Sequence, residues 1–176
     1  MINHGAGNYI TIGSQRFNLQ DIHFHTPGEY TVNGSDPYPL EFHLVHFNAD
    51  PKGLPQVAVV GVFVNKGKAD SGIIKLPSRD NPTKVNILLS GLLPPRFSRD
   101  YWRFAGSLTT PGTIPGGTKR CAEGLLWTVM KTPITMSADQ IQSFKDSSIG
   151  YWGTDVTNRP LQQGNGRDII SPFGGF

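Results

Sequence analysis

The chain has 176 residues, of which 37% are hydrophobic and 16% are charged, and its formal net charge is +3. This length suits one domain, residues 1–176, with a substantial core. The basic residues are scattered and no apolar window reaches about 18 residues, so neither nucleic-acid binding nor a membrane span is expected. The first residues contain no basic or apolar segment, so the sequence predicts no signal peptide, although a leader removed earlier would leave no trace.

Strand-like segments dominate the chain. The 21 glycines and 14 prolines are typical of many turns between short strands. Residues 56–65 are almost continuously apolar, which predicts a central strand buried on both faces. Residues 80–93 fit a short helix or a strand equally well, and the tail after Gly164 is expected to be irregular. The other predicted strands are residues 9–12, 17–25, 30–32, 41–48, 103–106 and 125–130.

One helix has a clear start signal. Ser137 and Gln140 have the spacing of a capping box, in which each side chain bonds a free backbone N–H of the first turn. Ile141 and Phe144 then follow at helical spacing. Composition and patterning together therefore predict a mostly β, α+β domain.

Three histidines form the most informative pattern. His23 and His25 lie two residues apart on a predicted strand, so their side chains point to the same face. A neighbouring antiparallel strand carrying His43 can supply a third imidazole. Three nitrogen ligands with one open position are typical of a catalytic zinc site. The single cysteine, Cys121, excludes both a thiolate-rich site and an intrachain disulfide.

Two carboxylates are placed to orient these imidazoles. Asp21 precedes His23 by two residues, and Glu41 precedes His43 by two, so each is expected to hold the second ring nitrogen of its histidine. His46 has the opposite strand parity from His43. We interpret it as a core or hydrogen-bonding histidine.

Two alternatives stay open at this point. A His-x-His on a strand is often structural or incidental. A cupin site also begins with His-x-His, and Glu29 would then be a ligand, but no Pro-x-Gly precedes His43 as the second cupin motif requires.

Five segments, in this order, resemble the α-class carbonic anhydrases, particularly the bacterial members. The likeness runs from about residue 9 to residue 168, and its metal-site motifs are highly specific. The segments are 21–29 (DIHFHTPGE), 40–48 (LEFHLVHFN), 101–111 (YWRFAGSLTTP), 121–127 (CAEGLLW) and 158–162 (NRPLQ).

The resemblance implies a large, twisted, mainly antiparallel sheet with short peripheral helices. It implies zinc-dependent, reversible hydration of carbon dioxide to bicarbonate and a proton, by attack of zinc-bound hydroxide. The implied zinc ligands are His23, His25 and His43. Thr109 is implied to orient the hydroxide and Glu29 to orient Thr109. The implied substrate pocket consists of Val45, Val59, Leu108, Thr110, Leu125 and Trp127. A non-catalytic binding or structural module within a larger assembly is the alternative.

The chain departs from the family in three ways. The family's N-terminal region, with its proton-shuttle histidine, is missing before Tyr9, which is expected to leave one side of the pocket open and Cys121 as a free thiol. Self-association, another chain, substituted packing or a fragmentary sequence would each account for the gap. A Gly/Pro-rich insertion occupies residues 111–121, interpreted as a surface loop rather than a lid. Asp21 and Tyr30 replace the usual glutamine and histidine. Family members suggest a periplasmic or secreted location.

Overall fold

A computed structural model describes residues 7–69, 89–111 and 121–171. Two short 3₁₀ turns occupy Leu89–Leu92 and Arg96–Ser98, and one α-helix, α1, runs over Ala138–Trp152. No helix in these ranges is long and apolar enough to cross a bilayer. The strands are β1 (Tyr9–Ile12), β2 (Gln15–His25), β3 (Leu40–Asn48), β4 (Val57–Lys66), β5 (Tyr101–Ser107), β6 (Glu123–Met130) and β7 (Ile134–Met136).

The seven strands form one mixed sheet in the order β1-β2-β3-β4-β6-β5, with β7 also paired to β4. Four strand pairs are antiparallel, whereas β6 and β7 each run parallel to β4. Strand β4 is central, and its eight residues from Val57 to Val64 are all buried. The expected mainly antiparallel, β-rich fold and the buried central strand are therefore confirmed.

Apolar side chains pack on both faces of the sheet. One cluster lies under α1, which contributes Ile141 and Phe144. The other cluster surrounds Trp127 on the opposite face. The capping box is confirmed, because Ser137 Oγ accepts from Gln140 N at 3.2 Å while Gln140 Oε1 accepts from Ser137 N at 3.0 Å.

A β-bulge in β2 decides which residues face the metal-binding side of the sheet. Leu19 pairs with His46 and Asp21 pairs with Val45, so Gln20 is an extra residue. Leu19 and Ile22 consequently pack in the same cluster despite their opposite parity. Bulges re-aim side chains in this way. After the bulge, the odd-numbered residues of β2 turn towards the face that carries His43.

Some sequence predictions were wrong or lie outside the described residues. Residues 30–32 form no strand, because Tyr30 N donates to the Glu41 side chain rather than to a neighbouring strand. The three-residue strand β7 was not predicted. Of residues 80–93, those before Leu89 lie outside the described ranges, as do residues 112–120 of the insertion. Residues 165–171 of the tail are irregular, as expected, apart from a bridge between Arg103 and Ile170, and residues 172–176 lie outside the described ranges.

Candidate metal centre

The pairing of β2 with β3 brings the three histidines together. His23 lies directly opposite His43 in the register, and His25 follows on the same face of β2. One ligand nitrogen from each ring can be chosen so that all three lie within 4.8 Å of one another. His25 and His43 are buried, and His23 is half-buried. The convergence predicted from strand parity is present in the structure.

Hydrogen bonds leave one nitrogen of each β2 histidine free. His23 Nδ1 lies 2.6 Å from Asp21 Oδ2, and His25 Nδ1 lies 3.0 Å from the carbonyl oxygen of Thr157. Because both partners are acceptors, Nδ1 carries the proton in each ring. Nε2 is then left unprotonated. His25 Nε2 is buried without a hydrogen-bond partner, as expected for a nitrogen reserved for a metal ion.

His43 is held in the opposite tautomer. Its Nε2 lies 3.0 Å from Glu41 Oε1, so when Glu41 is ionised Nε2 donates and Nδ1 is the free nitrogen. Glu41 Oε2 accepts from the backbone N–H of Glu29 at 2.8 Å and of Tyr30 at 3.3 Å. Glu41 therefore connects His43, through hydrogen bonds, to the backbone of the segment that carries Glu29.

Burial favours neutral imidazoles at this site. Burial, together with the neighbouring His43, lowers the pKa of His25 to about 4. Burial also lowers the pKa of His43 well below its usual value of 6.5. Neutral imidazole is the form that binds a metal ion, so little proton release has to accompany binding at neutral pH.

The two supporting carboxylates differ in their surroundings. Burial raises the pKa of Glu41 to about 8, although two backbone N–H groups oppose this shift. Burial alone would raise the pKa of Asp21, but the hydrogen bond and charge of His23, with smaller contributions that include the backbone of Ile22, together outweigh burial and lower it. Burial thus outweighs the neighbours of Glu41 and disfavours its ionised form, whereas the neighbours of Asp21 outweigh burial and favour ionisation.

Glu29 lies next to the histidine cluster. Its Oε1 accepts from Arg159 N at 2.7 Å and lies 3.4 Å from His25 Nδ1. Its Oε2 is buried without a hydrogen-bond partner, 3.9 Å from His43 Nδ1. Thr109 and Glu29 line the same cavity, but the structure records no hydrogen bond between these two described residues.

The residues expected to form the apolar wall are mostly brought together. Val59, Leu125 and Trp127 are buried in one cluster, and Val45 and Leu108 pack against it. The Trp127 ring lies 4.8 Å from the His43 ring, measured between centroids. Thr110 is exposed and lies outside this cluster. The cluster therefore provides an apolar surface beside the imidazoles.

Sequence reasoning missed two backbone groups that complete the site. The carbonyl of Thr157 orients His25, and the N–H of Arg159 fixes Glu29. The segment 158–162 matched the family motif, but no role followed from its side chains. Thr157 N donates in turn to the Thr26 carbonyl at 2.8 Å, which fastens this distant segment to the end of β2.

The donor set fits a zinc ion. Three uncharged imidazole nitrogens converge, each with its other nitrogen held by an oxygen acceptor, which is the usual arrangement around zinc-binding histidines. His46 takes no part in the cluster. It is buried, and its Nδ1 donates to the carbonyl of Leu44 at 2.9 Å, as expected for a hydrogen-bonding core histidine.

Comparison with known proteins gives a consistent result. The sequence model of the family described as eukaryotic-type carbonic anhydrase matches residues 5–173. The chain is 35% identical to a carbonic anhydrase of Pectobacterium carotovorum, covering 96% of this chain and 64% of that protein. It is 39% identical to a carbonic anhydrase of Klebsiella pneumoniae, covering 92% of this chain and 60% of that one. The chain thus spans less than two thirds of either relative.

The fold is similar to that of solved members of the same family. The α-carbonic anhydrase of Thermovibrio ammonificans superimposes with a TM-score of 0.73 at 34% identity, covering 96% of this chain and 72% of that structure. Sequence, fold and the geometry of the three histidines agree, and the chain belongs to the eukaryotic-type (α) carbonic anhydrase family.

Proposed function

We propose that the protein binds Zn²⁺ through His23 Nε2, His25 Nε2 and His43 Nδ1 and catalyses the reversible hydration of carbon dioxide to bicarbonate and a proton. The observation that carries this proposal is that one ring nitrogen from each of these histidines can be chosen so that all three lie within 4.8 Å of one another. Membership of the carbonic anhydrase family supports the choice of reaction. Zinc held by three neutral ligands activates a water molecule near neutral pH.

The protein's own contribution begins with the orientation of the ligands. Asp21, Glu41 and the Thr157 carbonyl each fix one imidazole tautomer. A divalent cation beside His43 also favours the ionised form of Glu41 over the protonated form that burial favours. The tautomers of the three histidines and the charge of Glu41 are therefore fixed before the substrate binds.

Glu29 and Thr109 are proposed to orient the nucleophile. The free Oε2 of Glu29 is a buried acceptor in need of a donor, and the Thr109 hydroxyl lines the same cavity. A hydroxyl that donates to Glu29 presents a lone pair on its other side. Thr109 then accepts a hydrogen bond from the attacking hydroxyl group, which turns that group's own lone pair towards the substrate.

The apolar cluster beside His43 suits carbon dioxide. The substrate is small and uncharged, so it needs no ion-pairing partner. Val59, Leu125 and Trp127 are each at most 2% exposed and offer a dry surface for it. Bicarbonate, the charged product, should bind more weakly there, because an apolar surface gives an anion no compensating hydrogen bonds.

The alternative of a non-catalytic module is not favoured, since a purely structural role does not require three unprotonated nitrogens to converge. Metal analysis and stopped-flow hydration of carbon dioxide, carried out on a single preparation, would distinguish the enzyme from the module. We expect stoichiometric zinc and a hydration rate above that of the buffer. Stoichiometric zinc without such a rate would support the module instead.

A histidine pair on β3 provides a matched control. His43→Ala removes a proposed ligand, so both zinc and activity should be lost. His46→Gln removes a buried histidine of the same strand that lies outside the cluster, so zinc should be retained. Loss of zinc in both variants would point to unfolding, which circular dichroism would detect.

A further inference from the structure

A cavity of about 500 Å³ lies beside Glu29, and none of the three clustered histidines lines it. Its walls include the rings of Tyr30, Phe63, Trp102 and Phe104. The volume falls within the range of about 300–1,000 Å³ that is typical of small-molecule sites. Aromatic walls of this kind suit a flat apolar group.

Cationic side chains line the same cavity. Lys131 Nζ lies 5.4 Å from the centre of the Trp102 ring, and the Arg167 guanidinium carbon lies 5.8 Å from that of Phe104. Arg159 contributes a third cation to the lining. Cationic groups are thus placed directly over the aromatic side chains of the wall.

Among the residues that the structure describes, the side chains of these three cations donate hydrogen bonds only to neutral groups. Lys131 donates to Ser171 Oγ, and Arg167 donates to the carbonyls of Gly164 and Ala105. Arg159 donates from its side chain to Ser107 Oγ and the Leu108 carbonyl. Within residues 7–69, 89–111 and 121–171, all four ion pairs found within 4.0 Å involve histidine, so none of these three cations forms such a pair there, although the Glu29 carboxylate also lines the cavity.

We propose that this cavity is a binding site for a small aromatic carboxylate. The ring of the ligand packs against Trp102 and Phe104. Its carboxylate is held by Lys131 and Arg167, whose charges form no ion pair within 4.0 Å among the described residues and lie near the aromatic wall. Arginine suits this role because its planar guanidinium matches the geometry of a carboxylate.

The cavity adjoins the proposed active site, because Glu29 and Thr109 line it, but none of the three histidines does. Glu29 also lies next to the histidines, with Oε1 and Oε2 lying 3.4 Å and 3.9 Å from the nearest nitrogens of His25 and His43. The inference therefore does not depend on zinc or on the proposed activity. It can be tested on metal-free protein, in which direct coordination of a carboxylate to zinc is excluded.

The test is isothermal titration calorimetry of chelator-treated protein with benzoate, benzamide and acetate. Benzamide retains the ring without the charge, and acetate retains the charge without the ring. We expect saturable benzoate binding that is about tenfold tighter than that of either other compound. Equal affinity for benzoate and benzamide, or binding of benzoate only after zinc is restored, would overturn the proposal.

Two variants locate the site. Lys131→Met and Arg167→Met should each weaken benzoate binding by about tenfold, since each removes a charge-assisted hydrogen bond. Lys66→Met and Arg96→Met remove exposed cations outside the cavity and should leave binding unchanged. Unchanged binding in both cavity variants would contradict the assignment. Should those variants fail to fold, the ligand comparison on the unaltered protein still decides the question.

Discussion

Glu41 and His43 form a completely buried pair, with Glu41 Oε1 3.0 Å from His43 Nε2. The other oxygen of the same carboxylate accepts from the backbone N–H groups of Glu29 and Tyr30. One side chain therefore fixes both a proposed metal ligand and the backbone that carries the proposed catalytic carboxylate. Stability and metal binding should consequently depend on it together.

Replacing Glu41 by alanine should damage both properties. The change leaves two buried N–H donors and one part-buried donor without an acceptor, so we expect a loss of about 3 kcal/mol or more in the free energy of unfolding. We also expect zinc affinity to fall by about 10- to 100-fold. Urea unfolding and competition with a chelator measure the two effects. Glu123→Ala, at an exposed position of β6, is the control; a variant that keeps zinc as tightly as the unaltered protein would contradict the role.

Asp21 should affect metal binding with little effect on stability. Its side chain and that of His23 are 32% and 35% exposed, so water can replace the lost hydrogen bond. We expect Asp21→Asn to weaken zinc binding by about tenfold, because an amide is a poorer acceptor for the imidazole N–H. The measurement is the rate of zinc release to a chelator, with the exposed Asp36→Asn as the control. Equal release rates in the two variants would argue against the pairing.

Strand parity predicted much of this arrangement from the sequence. The spacing of two residues between Asp21 and His23, and between Glu41 and His43, was enough to place each pair on one strand face. The capping box likewise placed the start of α1. These predictions succeeded because they depend on residues close in sequence within regular elements.

The remainder depends on contacts that residue spacing does not encode. The bulge at Gln20 changes which residues of β2 face each side of the sheet, and nothing in the nearby sequence indicates a bulge there. The partner of His25 is a backbone carbonyl 132 residues away, so its side chain gives no indication of the role. Tyr30 was assigned to a strand because the bonds of its backbone to a distant carboxylate were not foreseen.

Thr109→Ala should slow the reaction without removing zinc. The hydroxyl orients the nucleophile in the proposed mechanism, and loss of such positioning costs about 100-fold in kcat/KM. Thr109→Ser keeps the hydroxyl and should recover most of the activity. Stopped-flow hydration and metal analysis of the same samples separate the two effects. A serine variant as slow as the alanine variant, or an alanine variant of undiminished rate, would remove Thr109 from the mechanism.

Gly106 should not tolerate a side chain, because it lies against the indole of Trp127. A Cβ at this position would lie 2.8 Å from Cδ1 of that ring and 3.2 Å from Nε1, the donor to the Ser107 carbonyl. We expect Gly106→Ala to lower the free energy of unfolding by about 1–3 kcal/mol through overpacking. Gly164→Ala, where a Cβ meets nothing within 4 Å, is the matched control in urea unfolding. Equal stability of the two variants would show that the ring moves aside freely.

The metal-free protein should be most stable near pH 6.5, because titration of His25 and His43 lowers its stability below this pH and titration of Glu41 lowers it above. The pKa of His25 is lowered to about 4 and that of His43 well below 6.5, so the unfolded chain takes up protons first as the pH falls. Stability is therefore lost from pH 6.5 towards pH 4. The pKa of Glu41 is raised from 4.5 to about 8, so the unfolded chain releases that proton first as the pH rises. Below pH 6.5 the effect of the two histidines on stability outweighs the opposite effect of Glu41. Above pH 6.5 only Glu41 contributes, so stability falls as the pH rises.

Urea unfolding in the presence of a chelator, from pH 4.5 to pH 8, checks this expectation. Each proton difference between the folded and unfolded states changes stability by about 1.4 kcal/mol per pH unit. Glu41→Gln should abolish the decline above pH 6.5 and keep the decline on the acid side, because the two histidines still titrate. Stability that continued to rise up to pH 8 would mean that Glu41 is ionised in the metal-free protein, with the N–H groups of Glu29 and Tyr30 outweighing burial.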